Sequence, residues 1–287
     1  MTIRELPLGA VIAFDFERWE VDEEFKIVHH ARVRRIQIYR NYIQGITADY
    51  IRERLECEGL VADSLHAYID LPIFEGPAFD LSAESPRQRN AAVEIARGEA
   101  DYARRLGCRD IVVHPVGPGP TQDDSWRPEA LTDSAAHLAR LGETHDVRFL
   151  LENMPPPMFG ADAALLRRIV DQADSPHLGL AYDSGHAMIA RDPVGIVLAM
   201  GPRLWGVHLH DNDGAEDGHF LPGMGVIPFE DVARALARVG FGGTFMLEIY
   251  RDTDEVKRDL TPERLDYIHS LRRLASDRKA ARAGDPS

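Results

Sequence analysis

The chain has 287 residues, and its 33 basic against 47 acidic side chains leave a net charge of −14. Hydrophobic residues make up 44%, with 23 glycines and 18 prolines, which supplies a large core and excludes disorder over most of the length. No run of about 18 uncharged apolar residues exists, so a membrane-spanning helix is excluded, and two cysteines, Cys57 and Cys108, are too few for a disulfide scaffold.

Short β-rich runs alternate with longer amphipathic stretches. In chain order, strands are predicted at 9–15, 35–40, 62–68, 110–116, 148–154, 178–184, 204–211 and 245–250. Helical patterns fall at about 47–58, 85–107, 129–143, 161–173, 193–201, 229–239 and 261–278. The longest begins at a Ser85–Pro86 cap and stops at Gly107. Ala92, Ile95, Ala96, Ala103 and Leu106 recur along it at helical spacing, with Glu99 as the one polar interruption. Eight strands alternating with helices predict an α/β (β/α)8 TIM barrel, a single domain over 1–278 with 279–287 as a frayed tail. A doubly wound open sheet usually carries a glycine-rich loop after its first strand, and DFERWEVDEE contains no glycine.

The N-terminal segment MTIRELPLGAVIAFDFERWE has acidic residues on both sides of a short apolar run and does not read as a signal peptide. With so few cysteines, a cytoplasmic location is the expectation. The acidic balance argues against a nucleic-acid partner, because neutralising phosphates takes clustered Lys and Arg.

In this architecture the active site is built at the C-terminal ends of the strands. Those ends carry His66, His114, Glu152, Asp183, His208, His210 and Glu248; His186 follows Asp183, and Asp217 and His219 lie in the loop after strand seven. Six of the twelve histidines thus gather at one rim. A lone His or Glu at a strand end usually serves structure, but strand alternation turns Glu152 and Glu248 into the barrel mouth. Carboxylates in an apolar barrel are costly unless paired or metal-bound, so the convergence points to a cation. Glu152, Asp183, His208 and Glu248 form an oxygen-rich set with one nitrogen, suited to one Mn²⁺, Mg²⁺ or Co²⁺ ion, or to Zn²⁺. His208 and His210 share a strand face, which leaves His210 nearer the rim for substrate or for orienting Asp211 or Asp213.

The motifs LLENM around Glu152, AYDSGHA around Asp183 and His186, GVHLHDNDG…DGHFLPGMGVIPF around His208 and His219, and MLEIY around Glu248 resemble the xylose-isomerase-like barrels. These include sugar (phosphate) isomerases and epimerases of the D-tagatose 3-epimerase type, with endonuclease IV as a more distant branch. The resemblance runs over nearly the whole chain. It implies one divalent metal on Glu152, Asp183, His208 and Glu248, with the two glutamates moving protons. A metal on adjacent oxygens of a ketose acidifies the neighbouring C–H by stabilising an enediolate, and two carboxylates on opposite faces can remove and return the proton. His186, His210, His66 and His114 are expected against substrate, with Asp217 and His219 as further metal or substrate residues. Barrels of this family often pair as dimers or tetramers.

Endonuclease IV supplies the competing reading, since His66, His114, Glu152, Asp183, His186, His208, Asp217, His219 and Glu248 offer a counterpart for each of its nine zinc ligands. The acidic loop with Asp211, Asp213, Glu216 and Asp217 would repel a DNA backbone and disfavours a phosphate there, which leaves an unphosphorylated keto-sugar, cyclitol or polyol as the expected substrate. A dehydratase of keto-inositols on the same site stays open, as does a barrel that binds a polyol without turnover. No lysine lies in a predicted strand, so a Schiff-base aldolase is excluded. Trp19, Phe14, Tyr68, Trp126 and Phe220 are candidates for an apolar wall against a sugar face, each with plain packing as its alternative role.

Overall fold

The computed structural model describes residues 5–14, 21–40, 45–68, 79–117 and 127–277. Its strands are β1 (Leu8–Phe14), β2 (Arg35–Arg40), β3 (Val61–His66), β4 (Asp110–Val113), β5 (Arg148–Glu152), β6 (Leu178–Asp183), β7 (Leu204–His208) and β8 (Phe245–Leu247). The helices are α1 (Val21–His30), α2 (Ala48–Cys57), α3 (Pro86–Leu106), α4 (Pro128–His145), α5 (Ala163–Ala173), α6 (Ser184–Ile189), α7 (Pro193–Met200), α8 (Phe229–Val239), α9 (Thr253–Asp259) and α10 (Pro262–Ser276). All ladders are parallel, in the order β7-β6-β5-β4-β3-β2-β1-β8. A parallel bridge between Leu209 and Leu247, with Leu209 N donating to Met246 O at 2.9 Å, joins the two ends into the expected TIM barrel.

Side-chain alternation sorts each strand into an outer and an inner face. Outward residues such as Ile12, Ile36, Ile38, Leu65, Ile111, Phe149, Leu180 and Tyr182 pack with the helices in one large cluster. Inward residues form two small clusters, one of Val11, Ala13, Tyr39 and Met246, the other of Val112, Leu150 and Ala181. Glu152 lies two residues beyond Leu150, and Glu248 two beyond Met246, so alternation places both carboxylates at the C-terminal mouth.

Helix boundaries follow side-chain chemistry. The Thr47 hydroxyl accepts from Tyr50 N, Asp162 from Leu165 N, Asp192 from Gly195 N and Thr261 from Arg264 N, each meeting an amide left over by the first turn. α3 ends at Gly107, whose φ of 87° is the left-handed conformation glycine adopts without strain. Its polar interruption, Glu99, is 1% exposed and accepts from Arg40 Nη2 at 2.8 Å. The Arg40 guanidinium lies 3.9 Å above the Tyr102 ring, so one stacked, paired cation compensates the buried carboxylate.

α1, α6 and α9 were not among the predicted helices, and β4, β7 and β8 stop three residues short of their predicted C-terminal ends. Among the described residues no helix is long and apolar enough to cross a membrane. Trp19, Trp126 and the tail 279–287 lie outside the described residues.

Candidate active site

The strand ends form a ring around Glu152. His208 Nδ1 donates to Glu152 Oε1 at 2.8 Å and lies 3.3 Å from Glu248 Oε2. His114 Nε2 and His66 Nε2 approach Glu152 Oε2 at 3.3 and 3.5 Å, but that oxygen has no aligned hydrogen-bond partner although it is buried. Glu152, Asp183, His208 and Glu248 each turn one ligand atom toward a common point, all within 4.8 Å of one another.

Asp183 links this set to a second. Its carboxylate meets His210 Nε2 at 3.0 and 3.2 Å, and Oδ1 accepts from His186 N at 2.7 Å as the N-cap of α6. Asp217 lies 3.3 Å from His186 Nε2, 3.6 Å from His210 Nε2 and 3.1 Å from His219 Nε2. The His210 and His219 rings stack at 4.1 Å. Asp183, His210 and Asp217 form one further convergent group, and His210, His219 and Glu248 another. All ten residues singled out in the sequence therefore belong to one continuous cluster. His210 faces Asp183 and Asp217 rather than Asp211 or Asp213.

Three residues that sequence reasoning passed over hold the ring in place. Asn153, fully buried, accepts from Asp183 N at 2.8 Å, donates to Asp183 O at 3.1 Å, and offers its own carbonyl to His186 Nδ1 at 2.8 Å. That last bond puts the proton on Nδ1 and turns His186 Nε2 toward Asp217. Ser184 Oγ donates to His210 O at 2.7 Å and accepts from His210 N at 3.0 Å. Gly185 is required by close approach, since a Cβ there would lie 2.0 Å from His210 Cε1. The only signal for these residues is their position beside Glu152 and Asp183 in LLENM and AYDSGHA.

The acidic loop is largely spent on its own structure. Asp211 accepts from the amides of Asn212, Gly223, Gly225 and Ile227 at 2.8–3.1 Å, and Asp213 from those of Ala215 and Glu216. This clamp fixes the segment that carries Asp217 and His219. His219 itself has a φ of 47°, a left-handed conformation that costs a non-glycine residue energy and often marks functional sites. Phe14 packs at 6.4 Å on Phe25 in the outer core and Tyr68 at 6.3 Å on Phe79, so both take the packing role. Phe220 lies under the Arg251 guanidinium at 4.7 Å. Tyr39, 5.4 Å from His66, and Tyr250, 5.0 Å from His219, are instead the aromatic rings beside the cluster.

Electrostatics separates the two glutamates. Burial raises the Glu152 pKa, but His208, His114 and His66 together hold it well below the usual carboxylate range. Burial raises Glu248 too, and there the charges of Glu152, Asp183 and Asp217 add to the rise. Burial would lower His186, yet Asp183 and Asp217 lift it to about 10. Burial would raise Asp217, yet His186 and His219 hold it far below its ordinary value. Three buried carboxylates converging with imidazoles, with Glu152 Oε2 unsatisfied, are a donor set that fits a divalent cation.

A closed (β/α)8 barrel with a carboxylate–imidazole cluster at its C-terminal mouth defines the class. Residues 23–276 match the family model for the xylose isomerase-like TIM barrel, and the chain belongs to that family. It is 31% identical over 208 residues to the uncharacterized protein MJ1311 of Methanocaldococcus jannaschii, covering 69% of this chain and 71% of that protein. A putative hydroxypyruvate isomerase of Streptomyces coelicolor is 28% identical over 219 residues, 72% of this chain and 75% of that one. An inosose dehydratase of Bacillus thuringiensis is 26% identical over 148 residues, 45% and 49% of the two. In fold, the chain is similar to a D-tagatose 3-epimerase-like protein (TM-score 0.72, 24% identity, 92% of this chain and 99% of that one). It is also similar to the IOLI protein with a binding zinc atom (TM-score 0.69, 15% identity, 93% and 96%).

Proposed function

We propose that the chain is a divalent-metal-dependent isomerase or epimerase of an unphosphorylated keto-sugar or related polyol, with Glu152 and Glu248 as its proton-moving pair. The observation that carries this reading is the convergence of three buried carboxylates, Glu152, Asp183 and Glu248, with His208 at the barrel mouth. These four residues would hold one Mn²⁺, Mg²⁺, Co²⁺ or Zn²⁺ ion, which supplies Lewis acidity to the oxygens of a bound ketose. Similarity to a putative hydroxypyruvate isomerase and to a D-tagatose 3-epimerase-like protein favours the same class.

Glu152 reaches the His208 imidazole from β5 and Glu248 from the end of β8, three strands apart around the ring. A substrate carbon between them meets a carboxylate on either side. Glu152, whose charged form three imidazoles favour, is the group to accept a C–H proton at Oε2, and Glu248, on the facing side, is the group to return one. Return to the neighbouring carbon gives isomerisation; return to the same carbon from the opposite face gives epimerisation. Asn153 keeps Asp183 oriented beside the pair, and His66, His114, His186 and His210 supply ring nitrogens to substrate hydroxyls.

The test is turnover with solvent-deuterium incorporation across a matched panel of keto-sugars, their phosphates and an inosose. Glu152→Gln and Glu248→Gln should each lower kcat about 10²–10⁴-fold while ligand binding persists. Unchanged turnover in either variant would overturn the assignment of the pair, and a clear preference for phosphorylated sugars would overturn the substrate class. Dehydration of the inosose by the same pair, as the dehydratase relative's name suggests, would move the reaction from isomerase to lyase.

A second reading, a multinuclear hydrolase of the endonuclease IV type, is favoured by the two further ligand groups that share Asp183 and Glu248 with the first. Two or three zinc ions per chain would support it.

A further inference from the structure

The site cluster straddles the seam between β7 and β8, the least laddered edge of the barrel. Two backbone bonds at Leu209 close that seam, to Met246 O and from Glu248 N, and β8 pairs with β1 over three residues. Beyond this closure Glu248 follows β8 on one side, while Asp217 and His219 stand in the loop after β7 on the other.

The carboxylate clamps do not reach Asp217 and His219. Asp211 grips the amides of Asn212, Gly223, Gly225 and Ile227, and Asp213 those of Ala215 and Glu216, so 217–219 lie between two anchored stretches. His219 sits there at φ 47°, a conformation a non-glycine residue keeps only where its surroundings over-determine it. Its own ring supplies one hold across the seam, Nδ1 donating to Glu248 O at 3.2 Å.

Phe220 supplies another. Its amide donates to Asp211 O at 2.8 Å and its carbonyl accepts from Asp211 N at 2.7 Å. The ring folds back over Gly218, where a Cβ would lie 2.9 Å from both Cε2 and Cζ. Gly218 is not among the glycines of positive φ, so it serves the ring rather than the turn. The Arg251 guanidinium covers the ring at 4.7 Å, and Glu255 Oε2 on α9 orients that guanidinium by accepting from Nη2 at 2.6 Å. Arg251 lies three residues beyond Glu248, so the contact ties the loop to the segment that carries the second glutamate.

We propose that Phe220 and Arg251 are positioning residues whose cation–π contact latches the loop to the end of β8 and holds Asp217 and His219 in the cluster. The consequence for catalysis rests on reading that cluster as an active site. Phe220, a candidate wall against a sugar face, then serves the loop instead. Neither residue belongs to the cluster, so the latch can be removed without touching a ligand atom.

Hydrogen exchange of the Phe220 amide in the full-length protein reads the latch without substrate. Arg251→Met keeps the side chain's length but not its charge, and should speed that exchange at least about fivefold. Gly218→Ala drives a Cβ into the ring and should do the same; it carries the test if Arg251→Met does not fold. Arg251→Lys keeps a cation over the ring and should stay within about twofold of the parent, as should Glu255→Gln, which removes only an ion pair at the surface. With whichever sugar the parent turns over, kcat/KM should fall about tenfold in Arg251→Met and Gly218→Ala and recover in Arg251→Lys. Parental exchange in both latch variants would overturn the proposal. So would equal acceleration in Glu255→Gln, a loss that Arg251→Lys does not recover, or faster exchange with kcat/KM unchanged. A parent that turns over no sugar would count against the proposed function alone, and exchange would still decide the latch.

Discussion

Replacing Asp211 by alanine tests how the loop after β7 is held. The fully buried carboxylate accepts from Asn212 N and Ile227 N on Oδ1, at 2.9 and 3.1 Å, and from Gly223 N and Gly225 N on Oδ2, at 2.9 and 2.8 Å. Hydrogen bonds to a charged group contribute about 1.5–3 kcal/mol each, and four would sum to roughly 6–12 kcal/mol if they were independent. They share one side chain, and a surface turn that opens regains water for its amides, so Asp211→Ala should cost about 3–5 kcal/mol. For a chain of this size that lowers Tm by roughly 5–8 °C. In Asp211→Asn one oxygen becomes an NH2 group that cannot accept, so two of the four bonds go and about half the loss is expected. Circular-dichroism melts measure the shift, and hydrogen exchange at Gly223, Gly225 and Ile227 localises it. A Tm within about 2 °C of the parent, with those amides still protected, would refute the clamp.

Other consequences follow from single side chains. Glu24 on α1 has a buried carboxylate oxygen without a partner, and burial pushes its pKa from 4.5 up to about 8. The folded chain therefore holds that proton more tightly than the unfolded one, so stability is full below pH 4.5, declines as pH rises, and the loss is complete above about 8. Glu24→Gln should match the parent near pH 4.5 and exceed it by about 2 kcal/mol at pH 8; an offset independent of pH in denaturant titrations would count against it. Gly185→Ala places a Cβ 2.0 Å from His210 Cε1 and should push that ring off Asp183, lowering kcat/KM by about 10²-fold. Parental kinetics in Gly185→Ala would mean His210 has no positional role.

The barrel and the ring of carboxylates and imidazoles were legible because both rest on local periodicity. In RFLLENM, alternation alone separates Phe149 and Leu151 from Leu150 and Glu152, and the structure keeps that division. Strand ends were less legible. The pattern of FMLEIY continues to Tyr250, but β8 stops at Leu247, beyond which Glu248 turns into the mouth as a site residue rather than as part of a longer ladder. α1 carries Val21, Phe25 and Val28 at helical spacing, yet its acidic first turn masks the stripe. Asn153 and Ser184 act through backbone bonds to neighbouring strands, which no one-dimensional pattern displays. The lining of a cavity at the opposite end of the barrel was not legible either, because only the folded barrel brings Gly206 of β7 to the same end as Gln37 and Ser64, register partners on β2 and β3.

The central claim is that Glu152, Asp183, His208 and Glu248 hold a catalytic cation. Its most direct test is the metal content per chain, by mass spectrometry, of protein purified without an affinity tag or added metal, alongside Asp183→Asn. The account predicts one Mn, Mg, Co or Zn ion per chain in the parent and loss of that ion in the variant. No bound metal in the parent, even after reconstitution, or full retention in Asp183→Asn, would contradict it.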